Sequence, residues 1–118
     1  MEKATKDDWK TSPLPEKHIS IEWERVFSTE EFELIQKGLI PQEMEEKWFI
    51  YYEEPWLYFH RSWTGFCIFV VRFETAQEIK AVEIKASREP EQYASMGEYS
   101  DIGTVRSLFR MLLGNPYP

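Results

Sequence analysis

The stretch that decides the fold spans residues 47–74 and reads KWFIYYEEPWLYFHRSWTGFCIFVVRFE. It divides into an aromatic run on each side of Glu53–Pro55 and a strongly apolar run over 65–74. Aromatic and β-branched residues are favoured in strands. Pro55 belongs in a turn because it has no N–H group to donate to a central ladder. The stretch therefore predicts three consecutive strands.

Upstream of this stretch, the sequence predicts one strand and one helix. ISIEWERVF (19–27) alternates apolar and polar residues, which is typical of a half-buried strand. Ser28 is a favourable N-cap, and Glu31, three residues later, completes a capping box, so a helix is expected to begin near Thr29. Gly38 suits the end of that helix.

Downstream, the sequence predicts a further strand and a second helix. KAVEIKA (80–86) alternates in the same way and gives the fourth strand of a meander, and residues 87–100 are predicted to form a loop. A helix is then expected from Asp101, capped by Ser100 or Asp101 and ended by residues 114–116. Its apolar residues recur at helical spacing, namely Ile102, Val105, Leu108, Phe109 and Leu112.

These elements predict an α+β fold with the order β-α-β-β-β-β-α. Consecutive short strands pair antiparallel, so we expect a four- to five-stranded antiparallel sheet with helices packed on it. Residues 1–18 are polar with two prolines among them and are predicted to form a flexible N-terminal arm, with Trp9 as the residue that docks; residues 19–118 are predicted to form a single domain. Because the run 65–74 is apolar on both faces, the sheet face without helices must be covered by the N-terminal segment, by curling of the sheet or by a partner.

Composition predicts a cytoplasmic protein. Cys67 is the single cysteine, so no intramolecular disulfide can form, and it lies in an apolar run that suggests a buried, inert thiol. The N-terminus lacks the apolar segment of a secretory signal, and no stretch approaches the roughly 20 apolar residues of a membrane span. Two histidines and one cysteine without ligand spacing predict no metal site, and no phosphate- or dinucleotide-binding motif predicts a cofactor.

The charge distribution points to a basic partner. The net charge is −7, and residues 1–58 carry all of it, with 14 acidic and 7 basic side chains, whereas residues 59–118 carry 7 of each. An acidic field repels phosphate backbones, which argues against direct binding of nucleic acid, and it attracts cationic proteins. The alternative is that the acidic surface only keeps the protein in solution.

The first functional hypothesis is a small acidic interaction domain of the immunity or antitoxin kind, and not an enzyme. Aromatic side chains inside an acidic rim are typical of protein-binding surfaces, where tyrosine and tryptophan contribute most of the energy. The residues expected to bind the partner are Glu43, Glu45, Glu46, Trp48, Tyr52, Glu53, Glu54 and Trp56.

The second hypothesis is a ligand-binding domain or small hydrolase with its site in the segment HRSWTG (60–65). Its expected residues are Tyr58, His60, Arg61, Ser62, Trp63 and Thr64. Arg61 is expected to pair with a carboxylate such as Glu53 or Glu74, or to grip a flat anion such as a nucleotide or ADP-ribose. A third hypothesis is a homodimer formed through exposed sheet aromatics.

Alternation along the strand assigns the side chains of this segment to two faces. Leu57, Phe59, Arg61 and Trp63 are expected to face the core, and Trp56, Tyr58, His60 and Ser62 to face a wet groove. His60 and Ser62 would then be close enough to act as base and nucleophile. No third residue that would orient the base is identifiable, which favours a hydrogen-bonded structural histidine.

The block EKWFIYYEEPWLYFHRSWTGFCIFVVRFE (46–74) resembles a family of small bacterial domains. Its members share the pattern KWFIY, then WLYFHRSWTG, then an apolar strand, and the resemblance extends over roughly residues 19–113, including EPEQY (89–93). It implies a bacterial cytoplasmic protein and brings no catalytic residues with it. It also suggests a role beside toxin, phage-defence or ADP-ribose systems.

Overall fold

The computed structural model describes residues 3–114, and it confirms the α+β class. Its strands are β1 (His18–Phe27), β2 (Trp48–Glu53), β3 (Trp56–Arg61), β4 (Cys67–Glu74) and β5 (Ile79–Ser87). Its helices are α1 (Thr29–Lys37) and α2 (Glu98–Leu112), with one 3₁₀ turn at Lys6–Asp8. Neither α1 nor α2 is both long and apolar enough to cross a membrane.

The five strands form one antiparallel sheet in the order β1-β5-β4-β3-β2. Strands β2 to β5 are the predicted meander, and β1 lies beside β5, so the first strand along the chain pairs with the last. Between β3 and β4 the register shifts, since Phe59 lies opposite Phe69 but His60 lies opposite Cys67. A bulge of this kind re-aims side chains, and here it lies next to His60.

Helix α1 begins as predicted. Ser28 Oγ accepts a hydrogen bond from the Glu31 amide at 3.0 Å, and Glu31 Oε1 accepts one from the Ser28 amide at 2.9 Å, which completes the capping box. Phe27 and Phe32, on either side of the cap, both pack against Phe73, with ring centroids 5.8 and 5.4 Å away. The helix is thereby fixed to the sheet at its first turn.

Helix α2 begins one turn earlier than predicted. Its N-cap is Gly97 and its first residue is Glu98, so the expectation that Ser100 or Asp101 caps the helix is wrong. Asp101 lies inside the helix and is fully buried. The predicted apolar stripe is otherwise correct, because Val105, Leu108 and Phe109 are all buried.

The main core lies between the two helices and one face of the sheet. Phe59, Phe69 and Phe109 lie at its centre without solvent exposure, and the ring of Phe109 meets Phe59 edge-on at 5.9 Å. Burial of a large apolar side chain contributes about 1.5–3 kcal/mol. This aromatic layer therefore supplies much of the driving force for folding.

The N-terminal arm covers the β2–β3 part of the opposite face of the sheet. The Ala4 amide donates to the Lys37 carbonyl at 2.8 Å, and the Ser12 amide donates to the Gly65 carbonyl at 2.8 Å. The Trp9 ring stacks on Phe49 with centroids 6.3 Å apart. Of the three covers considered for this face, the structure shows the N-terminal segment. The flexibility of residues 1–18 concerns dynamics and stays a prediction.

Candidate functional site

The alternation predicted for residues 56–63 holds only as far as the end of β3. Leu57 and Phe59 are fully buried on the helix side, as expected. The strand ends at Arg61, and the following residues turn, so Trp63 does not continue into the core. Its side chain is 57 % exposed.

His60 is buried rather than solvent-facing, since only 2 % of it is exposed. Its Nδ1 donates to the Gly65 carbonyl at 2.9 Å, and its Nε2 has no hydrogen-bond partner among the described residues. The ring lies nearly parallel to Tyr51, with centroids 5.7 Å apart. Burial lowers the pKa of His60, and the charge of Lys6 lowers it further, whereas the hydrogen bond to Gly65 raises it. The imidazole is therefore neutral at pH 7.

His60 and Ser62 do not form a base–nucleophile pair. Ser62 Oγ donates to the Glu46 carbonyl at 2.8 Å, whereas His60 bonds to the Gly65 carbonyl. Cys67 is buried, and desolvation raises the pKa of its thiol to about 12, so it is not a thiolate at neutral pH. Within residues 3–114, no three His, Cys, Asp or Glu side chains are grouped so that they could hold a metal ion.

Arg61 has no carboxylate partner among the described residues, so the predicted pairing with Glu53 or Glu74 is wrong. Its guanidinium lies over the Trp48 ring, 4.8 Å from the centroid. Glu74 pairs instead with Arg72, at 3.3 Å. The cation–π contact places Arg61 at the rim of the core, and its charge is not neutralised by an ion pair.

The six residues predicted to bind a ligand lie around three depressions, two of which share Trp63. Tyr58 and His60 line a cavity of about 330 Å³ beneath the N-terminal arm, which we call the arm cavity. Ser62 and Trp63 line a groove of about 520 Å³ that also includes Trp9 and Met44, which we call the Trp groove. Arg61, Trp63 and Thr64 line a cleft of about 390 Å³, the Arg cleft.

The eight residues predicted to bind a partner do not share one surface. In β2, Trp48 and Tyr52 lie on the helix side and pack on the core, whereas Trp56 pairs with Glu53 on the side covered by the arm. The glutamates are divided as well, because Glu43, Glu45 and Glu46 precede β2, whereas Glu53 is its last residue and Glu54 follows it. Six residues of strand separate the two groups by about 20 Å.

The Trp groove is the most apolar of the three depressions and has a rigid wall. Trp63 Nε1 donates to the Met44 carbonyl at 3.0 Å, and the Lys47 ammonium lies 4.2 Å from the Trp63 ring centroid. Trp9 Nε1 donates to the Ser62 carbonyl at 2.7 Å on the other side. Met44 is 72 % exposed. Sequence reasoning predicted that Trp9 docks, but it assigned neither Trp9 nor Met44 to a site because neither lies in a periodic segment.

A buried ionic network holds α2 and was also missed. Asp101 accepts hydrogen bonds from Arg88 Nη2 at 2.6 Å and from the Tyr93 hydroxyl. Ser95 Oγ lies 3.3 Å from the same carboxylate. These contacts connect the loop before α2 to the helix and have a structural role. The signal in the sequence is that Asp101 precedes Val105 by four residues, which places it on the buried stripe.

A scan against protein-family models and searches of curated proteins and of solved structures found no match. The resemblance drawn from residues 46–74 therefore stays a prediction.

Proposed function

We propose that this protein is a small acidic interaction domain that binds a basic protein through the Trp groove, in the manner of an immunity protein or antitoxin. One observation carries the proposal. An exposed tryptophan and an exposed methionine, Trp63 and Met44, are held side by side in an apolar groove whose lining includes the exposed Glu43.

An exposed indole that is already held in place is a favourable anchor for binding. Trp63 is 57 % exposed, and its position is fixed by the hydrogen bond to Met44 and by the cation–π contact with Lys47. Binding then orders little that is not already ordered, so less of the contact energy is lost to entropy. Tryptophan is also among the residues most enriched at the energetic centres of interfaces.

Three glutamates stand against two lysines around the groove, and this local excess of negative charge favours a cationic partner. Glu43, Glu45 and Glu46 follow one another along the loop that forms its rim, and Glu43 and Glu45 are exposed. Lys10 lines the groove and Lys47 lies over the Trp63 ring, so these two positive charges offset part of the glutamate charge. The net charge of −7 adds a long-range attraction that accelerates encounter with a basic protein.

This surface differs from the one expected from sequence. Of the expected glutamates, Glu43 lines the groove, and Glu45 and Glu46 follow it along the same loop. Glu53 and Glu54 lie at the far end of β2, and three of the expected aromatic residues are core or opposite-face residues, namely Trp48, Tyr52 and Trp56. Their place is taken by Trp9, Met44 and Trp63.

Selection from a random dodecapeptide display library tests the proposal. We expect enriched peptides to combine several lysine or arginine residues with one large apolar residue. Trp63→Ala is expected to weaken their binding by at least about 30-fold, since loss of a central interface residue costs about 2 kcal/mol or more. The matched control is Tyr99→Ala, because Tyr99 is 94 % exposed on α2, outside the groove. Equal binding by Trp63→Ala and wild type would refute the groove as the site.

Reversing charges at the groove and elsewhere distinguishes the effect of the acidic rim on binding from the effect of the net charge. We expect Glu43→Lys with Glu45→Lys to slow association and to reduce its dependence on salt. The control is Glu33→Lys with Glu78→Lys, which changes the net charge equally at exposed positions elsewhere. If both pairs reduce binding to the same extent, the acidic rim has no specific role.

The Arg cleft supports a second candidate function, the binding of a flat anionic ligand such as a nucleotide or ADP-ribose. Arg61 and Lys47 both line it, and Arg61 has no ion pair within residues 3–114. Glu91 also lines the cleft, and its charge opposes binding of an anion. A ligand at 100 times its dissociation constant would stabilise the fold by about 2.7 kcal/mol. Thermal-shift assays with nucleotides and ADP-ribose test this, with Arg61→Gln expected to abolish the shift and Arg106→Gln to retain it.

The hydrolase hypothesis gains no support, because His60 and Ser62 bond to separate carbonyls.

A further inference from the structure

We infer that the arm cavity is a binding site for a small zwitterion of the size of a free amino acid. The cavity measures about 330 Å³ and lies between residues 11–14 of the N-terminal arm and the face of β2 and β3. That volume is at the lower end of the range for small-molecule sites. Three features of its wall define the ligand.

The first feature is a buried hydrogen-bond acceptor without a partner. Because the Gly65 carbonyl can only accept, Nδ1 of His60 carries the proton and Nε2 carries a lone pair. Nε2 is buried and has no partner within residues 3–114, and only 2 % of His60 is exposed to water. Buried polar atoms are almost always hydrogen-bonded. His60 lines the cavity, and a donor on a molecule bound there would give this lone pair its missing partner.

The second feature is the neutral, polar character of the inner wall. Burial lowers the pKa of His60 and raises the pKa of the Tyr51 and Tyr58 phenols, so all three groups are uncharged at neutral pH. Tyr51 and Tyr58 stack with ring centroids 4.8 Å apart and planes 13° from parallel. The inner end of the ligand is therefore a polar, uncharged group that carries an N–H or O–H.

The third feature is a pair of opposite charges. Lys6 and Glu53 both line the cavity and both are exposed, which places them towards its mouth. The ion pairs formed within residues 3–114 all involve Arg72 or Arg88, so these two charges do not neutralise each other. An α-carboxylate beside Lys6 and an α-ammonium beside Glu53 would satisfy both. An uncharged sugar of the same size would form an ion pair with neither charge.

This site is separate from the proposed protein-binding surface. The residues that line the arm cavity and those that line the Trp groove do not overlap. Loss of amino-acid binding and loss of peptide binding therefore report on different parts of the molecule.

Titration of the ¹⁵N-labelled full chain with each of the twenty L-amino acids at up to 10 mM tests the inference. We expect saturable binding of at least one amino acid with a polar side chain. Lys6→Gln and Glu53→Gln are each expected to weaken it at least tenfold. The matched controls Lys17→Gln and Glu54→Gln, at exposed positions outside the cavity, are expected to change it less than twofold.

Two further results decide the inference without a core substitution. Binding should move the Nε2 resonance of His60 in long-range ¹H–¹⁵N spectra while its Nδ1 stays protonated, as expected for a new donor at Nε2. An analogue lacking either the carboxylate or the ammonium group should bind at least tenfold more weakly. No saturable binding by any of the twenty, equal binding to Lys6→Gln and wild type, or preferential binding of an uncharged sugar would each overturn the inference.

Discussion

His60 illustrates how position within a strand determines the chemistry of a residue. The sequence allowed a base or a structural histidine, and the hydrogen bond of Nδ1 to Gly65 and the aromatic neighbours of the ring argue against a base. What could not be read from residues 56–65 is that a segment far upstream in the chain covers this face. The predicted wet side of the strand was therefore wrong for both His60 and Ser62.

We expect the folded protein to lose stability on acidification through His60. Its pKa is lowered in the folded state from an ordinary value of 6.5, so below pH 6.5 the unfolded chain binds a proton that the folded chain does not. Above pH 6.5 the protonation of His60 does not reduce the free energy of unfolding. As the pH falls from 6.5 to the folded-state pKa, the free energy of unfolding decreases by about 1.4 kcal/mol for each unit by which that pKa is lowered. Urea unfolding at pH 7.5 and 5.0 measures the loss. His60→Gln should reduce it, whereas His18→Gln, at an exposed histidine, should leave it unchanged.

Gly38 and Gly103 give a matched pair of residue-scale tests. Gly38 has φ of +69°, and a Cβ there would lie 2.2 Å from the Ile50 carbonyl oxygen, so Gly38→Ala is expected to destabilise by more than about 1 kcal/mol. Gly103 lies in α2, and a Cβ added there would meet nothing within 4 Å, so Gly103→Ala is expected to stabilise by about 0.5–1 kcal/mol. Chemical denaturation of both variants checks the two signs. Unchanged or increased stability of Gly38→Ala would contradict the close approach at Gly38.

At the scale of elements, α2 shows the limit of capping signals. Asp101 follows a serine and precedes an apolar stripe, which is the usual signature of a helix start. The polar residues 98–100 extend the helix by one turn, and the carboxylate then turns inward to Arg88 and Tyr93. By contrast, α1 was predicted correctly because its capping box and Gly38 both lie at true ends of the helix.

We expect Asp101→Asn to destabilise the fold by about 3 kcal/mol, because it removes one charge of a buried pair and leaves Arg88 without its partner. The control is Glu98→Gln in the same first turn, which is exposed and should change stability by less than about 0.5 kcal/mol. Equal effects of the two substitutions would show that Asp101 acts only through the helix dipole.

The arm cavity exists only if the N-terminal arm is docked on the sheet, and this docking can be tested at the scale of elements. The Ser12 amide donates to the Gly65 carbonyl, and the Ala4 amide to the Lys37 carbonyl, so both should exchange slowly with solvent. Hydrogen exchange of the wild-type chain measures this, and Trp9→Ala should accelerate exchange at Ser12 because it removes the stacking on Phe49. Exchange at both amides as fast as in an unfolded chain would support the flexible arm predicted from composition.

At the scale of the whole molecule, local sequence patterns were sufficient to predict the helices and strands but not to predict which residues share a site. Strand alternation and caps depend on neighbouring residues, so the β-α-β-β-β-β-α order was readable. The pairing of β1 with β5 and the covering of Phe49 by Trp9 join segments far apart in sequence, which periodicity does not encode. For the same reason, the sequence could not show that the expected ligand residues lie around three different depressions.

The most direct test of the central claim, binding of a basic protein at the Trp groove, uses the five indole N–H signals in the ¹H–¹⁵N spectrum of the full chain. The titrant is the tightest-binding peptide from the display selection. We expect the signals of Trp63 and Trp9 to shift in a saturable manner and that of Trp23, which is stacked on Phe109 in the core, to stay in place. Shifts confined to Trp48 and Trp56, or no saturable shift of any indole signal, would contradict the claim.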